Sequence, residues 1–137
     1  MSEEPPQDLL EAARQAQERA YVPYSHFPVG AALRLPGGRI VAAGNVENAS
    51  YGLSMCAERS AAFAAVSGGA RAFAEILVVG ETKGPIAPCG ACRQVLLEFM
   101  DGAAPVWLVG QGGKWRRSSL AELLPHAFSP RDLGTQD

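Results

Sequence analysis

The sequence predicts an α/β domain, a three-layer α-β-α sandwich around a mixed sheet of about five strands. Three observations predict it. Stretches with helical spacing alternate with short strand-like runs. Two of those runs, at 76–79 and 106–109, are wholly apolar, as strands covered on both faces are. Pro36-Gly37-Gly38 lies between two further runs and reads as a hairpin turn. The order α-β-β-α-β-α-β-β-α then places helices on both faces of one sheet.

Each element has its own signal. From Asp8 to Ala20, the residues Leu9, Leu10, Ala13, Ala16 and Ala20 recur at helical spacing. Val29 to Leu35 and Arg39 to Val46 are the strands that flank the hairpin. Cys56 to Val66 is alanine-rich and is followed by Gly68 and Gly69, a helix with its stop. Ile76 to Val79 is a buried-type strand, Gly90 to Met100 a helix, and Val106 to Val109 a second buried-type strand. Lys114 to Arg117 is a short edge strand, and Leu120 to Leu124 a helical turn ended by Pro125. Right-handed crossovers put the helices beginning at Cys56 and Gly90 side by side on one face, if their strands run parallel.

The 137 residues suffice for one core, assigned to 7–128, with 1–6 and 129–137 as flexible tails. Apolar residues make up 47% of the chain and charged residues 19%, values of an ordinary globular protein. The net charge of −2, with no basic run beyond Lys114-Trp115-Arg116-Arg117, argues against a nucleic-acid partner. No apolar run approaches the ~20 residues of a membrane span. The acidic N-terminus lacks a secretory signature. A cytoplasmic location is therefore expected. Three cysteines, Cys56, Cys89 and Cys92, cannot all pair within one chain, and in a reducing compartment such a cluster points to metal or redox work.

The chemistry concentrates where those cysteines fall, at the starts of two helices. Cys89-Gly-Ala-Cys92 lets one helical turn aim two thiolates at one ion, although the same spacing serves redox proteins. With Cys56, three thiolates give Zn²⁺ a tetrahedral site with one position open, as catalytic zinc has. An ion with three thiolates carries a net negative charge and activates water poorly unless something offsets it. Helix N-termini supply partial positive charge and lower thiol pKa values. Arg59 is either a surface residue of its helix or a donor to a ligand sulfur that tunes the metal. Glu58, two positions after Cys56, either complements the helix dipole or overhangs the ion as a general acid/base.

Cys56-Ala-Glu58 followed by Pro88-Cys89-Gly-Ala-Cys92 resembles the zinc nucleoside deaminase signature in its three-cysteine form. The resemblance extends over roughly residues 8 to 128. Tyr24-Ser-His-Phe27-Pro-Val-Gly-Ala-Ala32, Asn45-Val-Glu47-Asn-Ala49-Ser-Tyr51 and Leu123-Leu-Pro-His-Ala-Phe128 resemble segments of the small homotetrameric cytidine deaminases. It implies a cytidine deaminase-like fold and one Zn²⁺ per subunit on Cys56, Cys89 and Cys92. It implies hydrolytic deamination of cytidine and deoxycytidine to uridine and deoxyuridine in pyrimidine salvage. It also implies site roles. Phe27 packs on the pyrimidine, Asn45 and Glu47 bind ribose hydroxyls, and Ala57 reads the base edge through its backbone. Ala49 belongs to the substrate-binding segment. Tyr51 and Phe128 reach a neighbouring subunit's site in a homotetramer. Gln94 supports a zinc thiolate. His26 and His126 are not expected as ligands.

The implied reaction is attack of zinc-activated water on C4, with Glu58 delivering protons to N3 and then to the departing amine. Four rivals are weighed against it. An aminonucleoside-antibiotic deaminase would change the sugar-side Asn45-Val-Glu47. A polynucleotide deaminase would show His in place of Cys56 and a basic groove. A structural zinc module needs a fourth protein ligand. A dithiol redox protein leaves Cys56 and Glu58 unexplained.

Overall fold

The computed structural model describes residues 4–134. The chain begins with α1 (Gln7–Glu18), β1 (Val29–Arg34) and β2 (Ile40–Gly44), continues through α2 (Ala57–Ser67), β3 (Glu75–Gly80) and α3 (Gly90–Phe99), and ends with β4 (Val106–Val109), β5 (Trp115–Ser118) and α4 (Leu120–Leu123). The expected element order holds, with ends displaced by one or two residues. The strands form one sheet in the order β2-β1-β3-β4-β5. Only the β3–β4 pair is parallel; the other three are antiparallel, so the sheet is mixed.

Period-two alternation divides the core between the two faces. Ile76 and Val78 of β3, with Val106 and Leu108 of β4, pack beneath α2 and α3. Leu77 and Val79, with Trp107 and Val109, pack instead with Leu9 and Ala13 of α1. Two glycines let α1 approach so closely. A Cβ on Gly30 would lie 2.0 Å from the Ala13 carbonyl oxygen, and one on Gly44 2.5 Å from that of Ala16. The helix therefore rests directly on strand backbone, which a methyl group would prevent.

Strand direction decides where the cysteines meet. β2 and β3 each run antiparallel to β1, and hence in the same direction as each other. The chain leaves both at the same end of the sheet, and α2 and α3 start there. After β2 the chain turns through a 3-10 segment, Tyr51–Leu53, and Met55 returns to bridge Val46 with two backbone hydrogen bonds of 2.8 and 3.0 Å. That bridge sets Cys56 beside the Asn45–Glu47 segment. Among the described residues, no helix is long and apolar enough to cross a membrane. Within the segment expected as a C-terminal tail, Pro130–Leu133 forms a 3-10 turn closed by a Ser129–Asp132 capping box.

Candidate active site

Cys56 and Cys89 occupy equivalent positions. Each is the N-cap residue of its helix, with extended backbone, φ −69° and ψ 153° for Cys56 and φ −68° and ψ 165° for Cys89. Cys92 lies on the first turn of α3 and is fully buried. The Cys56 and Cys89 Sγ atoms are 3.8 Å apart and those of Cys89 and Cys92 3.4 Å. All three sulfurs lie within 4.8 Å of one another. A tetrahedral zinc with Zn–S of about 2.3 Å requires sulfurs about 3.8 Å apart, so the cluster fits that ion with little adjustment. Among the described residues this is the one such group, and it contains neither histidine.

Charge in the cluster is unequally shared. The Cys56 thiol is pushed down to about 5, chiefly because Cys92 donates a hydrogen bond to it and also because Arg59 and Cys89 stabilise its thiolate. Cys92 is pushed up, by that same donation to Cys56 and by burial. Both shifts are those of the metal-free thiols; coordination to a dication deprotonates a thiol outright. Arg59 Nη2 donates to Cys56 Sγ at 3.4 Å, and the guanidinium also interacts with Cys92. Its Nε is buried without a hydrogen-bond partner in the protein.

Glu58 is 5% exposed. Burial pushes its carboxyl up to about 7, and the Cys56 thiolate adds to the rise while Arg59 opposes it. It faces a cavity of about 210 Å³, together with Cys56, Cys89, Ala57, Phe27 and Asn45. Val29, Ile86 and Ala87 complete the apolar wall. Ala57 is fully buried at the first position of α2, where its N–H has no partner within the helix.

A second depression, of about 330 Å³, is lined by Tyr24, Ser25, Glu47, Tyr51 and Ser54. Glu47 accepts hydrogen bonds from the backbone N–H of Tyr24 and of Ser25, each at 3.1 Å, and from the Ser25 hydroxyl. Those bonds, the hydroxyl's first, hold its carboxyl below the usual range. Asn45 Oδ1 accepts from Val29 N–H at 2.9 Å, and its Nδ2 donates to the Phe27 carbonyl at 3.0 Å. Tyr51 is 72% exposed and meets Tyr24 edge-on, with ring centroids 5.4 Å apart. Ala49 is exposed in the bend between Glu47 and Tyr51.

Gln94 and Phe128 lie together, apart from both depressions. The Gln94 Nε2 donates to the Phe128 carbonyl at 2.9 Å. The resemblance sets Gln94 beside a thiolate, but two residues past Cys92 is about 200° around the helix, which turns this side chain outward. Two supporting residues carry no sequence signal. Arg93 ties Pro88, just before Cys89, to α4, donating from Nε to the Pro88 carbonyl at 2.8 Å and from Nη1 to the Leu123 carbonyl at 2.6 Å. Ser25 is the other. Its acceptor, Glu47, lies 22 residues away in sequence.

The family model for the cytidine and deoxycytidylate deaminase zinc-binding region matches residues 3–107. A cytidine deaminase of Sporosarcina psychrophila is 50% identical over 91% of this chain and 92% of its own length. One of Mycobacterium tuberculosis is 48% identical over 88% of this chain and 87% of its own. The crystal structure of the Burkholderia pseudomallei cytidine deaminase superposes with a TM-score of 0.87 at 52% identity, covering 93% of this chain and all of that one. The three clustered thiols, the buried carboxyl above them and these likenesses over nearly the whole chain agree, and the chain belongs to the zinc-dependent cytidine and deoxycytidylate deaminase family.

Proposed function

We propose that the protein hydrolyses cytidine and deoxycytidine to uridine and deoxyuridine, releasing ammonia, as a cytidine deaminase (EC 3.5.4.5) of pyrimidine salvage. The observation that carries this reading is the placement of Glu58, buried beside three clustered thiols at the wall of a cavity of about 210 Å³.

Cys56, Cys89 and Cys92 hold one Zn²⁺ per subunit. The bound ion supplies a Lewis acid that makes water a nucleophile near neutral pH. Glu58, whose carboxyl pKa is raised by burial, accepts and returns protons. It protonates N3 of the base as C4 is attacked, then the 4-amino group as ammonia departs. Phe27 stacks on the ring, and the free N–H of Ala57 reads the base edge. Arg59 moderates the thiolate charge.

The sugar side has capacity left for a ligand. A carboxylate offers about four acceptor positions, and Glu47 uses three of them. Asn45 keeps one N–H and one lone pair. Both therefore take ribose hydroxyls, with Ala49 in the same segment, and the Glu47 charge disfavours nucleotides. That supports a nucleoside as substrate and argues against nucleic acid.

A homotetramer with sites shared between subunits is part of the proposal. Tyr51 is 72%, Leu53 71% and Phe128 57% exposed, large apolar surface that neighbours would cover. Gln94 sets the Phe128 segment. A cytoplasmic location, away from membranes, accords with three free cysteines. An ultraviolet assay of cytidine conversion by zinc-replete protein tests the reading. Turnover with release of ammonia is expected, and its absence with zinc bound would overturn it.

A further inference from the structure

The loop between α1 and β1 carries Phe27, and side chains of the Asn45–Glu47 segment hold it at Tyr24, Ser25 and Phe27. Tyr24 and Ser25 donate their backbone N–H groups to Glu47 Oε1. The Ser25 hydroxyl donates to Glu47 Oε2 and accepts from the Phe27 backbone N–H at 3.1 Å. One oxygen thus joins a carboxylate of the sugar-side depression to the residue that walls the base-side cavity.

The backbone supports the same reading. His26 N–H bonds the Val22 carbonyl at 2.9 Å, closing a single helical turn. His26 then takes a left-handed conformation, φ 58°, which reverses the chain so that Phe27 follows. A non-glycine residue there is disfavoured and persists where its neighbours fix it. The fixing contacts on either side are those of Ser25, before the pivot, and of Asn45 to Phe27 and Val29, after it.

We infer that Ser25 is a positioning residue for nucleoside binding, whose hydroxyl sets Glu47 and Phe27 as one unit so that sugar and base are oriented together. This rests on the proposed function, because it presumes a ligand spanning both depressions. Ser25 touches neither the thiols nor Glu58. Its removal therefore weakens binding and leaves the proton transfers intact.

Hydrogen bonds to charged groups support roughly a tenfold to hundredfold effect when desolvated. Here the loop is exposed and water replaces part of what is lost, so the lower end applies. Steady-state kinetics on cytidine, with thermal melting of each variant, tests it. Ser25→Ala is expected to raise KM about tenfold, to leave kcat within about threefold and to melt with the wild type. Ser25→Thr, which keeps the hydroxyl, is expected to restore most of the KM. In a Glu47→Ala background the Ser25→Ala effect should shrink to a few-fold, since one end of the bridge is gone. A KM within twofold of wild type for Ser25→Ala, a loss in kcat alone, or full additivity with Glu47→Ala would overturn the inference. An inactive wild type would overturn the deaminase reading instead, which keeps the two failures distinct.

Discussion

Arg59 Nη2 donates to Cys56 Sγ at 3.4 Å, across one turn of α2. This pairing sets a guanidinium against a ligand thiol whose pKa is pushed down. Groups that orient and polarise metal ligands typically contribute about 10–100-fold in affinity or activity. Arg59→Gln is therefore expected to lower kcat by about tenfold or more, and to lose zinc faster to a chelator. Zinc analysis and kinetics check both. Wild type should carry one zinc per chain.

Glu58→Gln should retain zinc and bind uridine, yet lose deamination. Positioned acid/base groups supply ~10²–10⁴-fold, and one residue serves several transfers here, so the loss should sit at or above that range. Turnover within tenfold of wild type would remove Glu58 from the chemistry.

Phe128 projects from the C-terminal segment with 57% of its surface exposed. If it closes a neighbour's site, Phe128→Ala raises KM more than it lowers melting temperature, and sedimentation of wild type gives four chains. An active monomer at nanomolar concentration would refute the shared site.

Gly30→Ala tests the packing of α1. The new Cβ would meet the Ala13 carbonyl oxygen at 2.0 Å, and neither backbone is free to yield cheaply. A loss of at least about 1–3 kcal/mol is expected from overpacking, read from urea unfolding. Zinc content of the folded fraction should be unchanged, because α1 lies on the face opposite α2 and α3.

Asp8 should govern part of the acid limb of stability. Its hydrogen bond from Arg34 holds its carboxyl below 3.8 in the folded chain. A depressed folded pKa means stabilisation that is present above the unfolded value and lost as pH falls through the folded one. The carboxylate is largely exposed, so the contribution is less than about 1 kcal/mol. Asp8→Asn should be slightly less stable than wild type at pH 7. The difference should shrink as pH falls from the usual carboxylate range through the lowered folded value, as denaturant titrations from pH 7 into that acid limb would show.

The sequence by itself determined the elements and the metal chemistry. Apolar runs such as Ile76–Val79 marked the central strands because period and composition are local properties. Cys56, Cys89 and Cys92 were legible because zinc dictates ligand type and short spacing, and Glu58 through the resemblance of Cys56-Ala-Glu58 to the deaminase signature. Only the tertiary structure decided what depends on distant partners. Strand direction on either side of β1 set α2 and α3 at one end of the sheet, where the sulfurs meet. Burial, which no local pattern states, pushed Glu58 up to about 7. The helical phase of Gln94 turned it from the thiols to Phe128. Ser25 and Arg93 took their roles from acceptors 22 and 30 residues away, a separation that only folding closes.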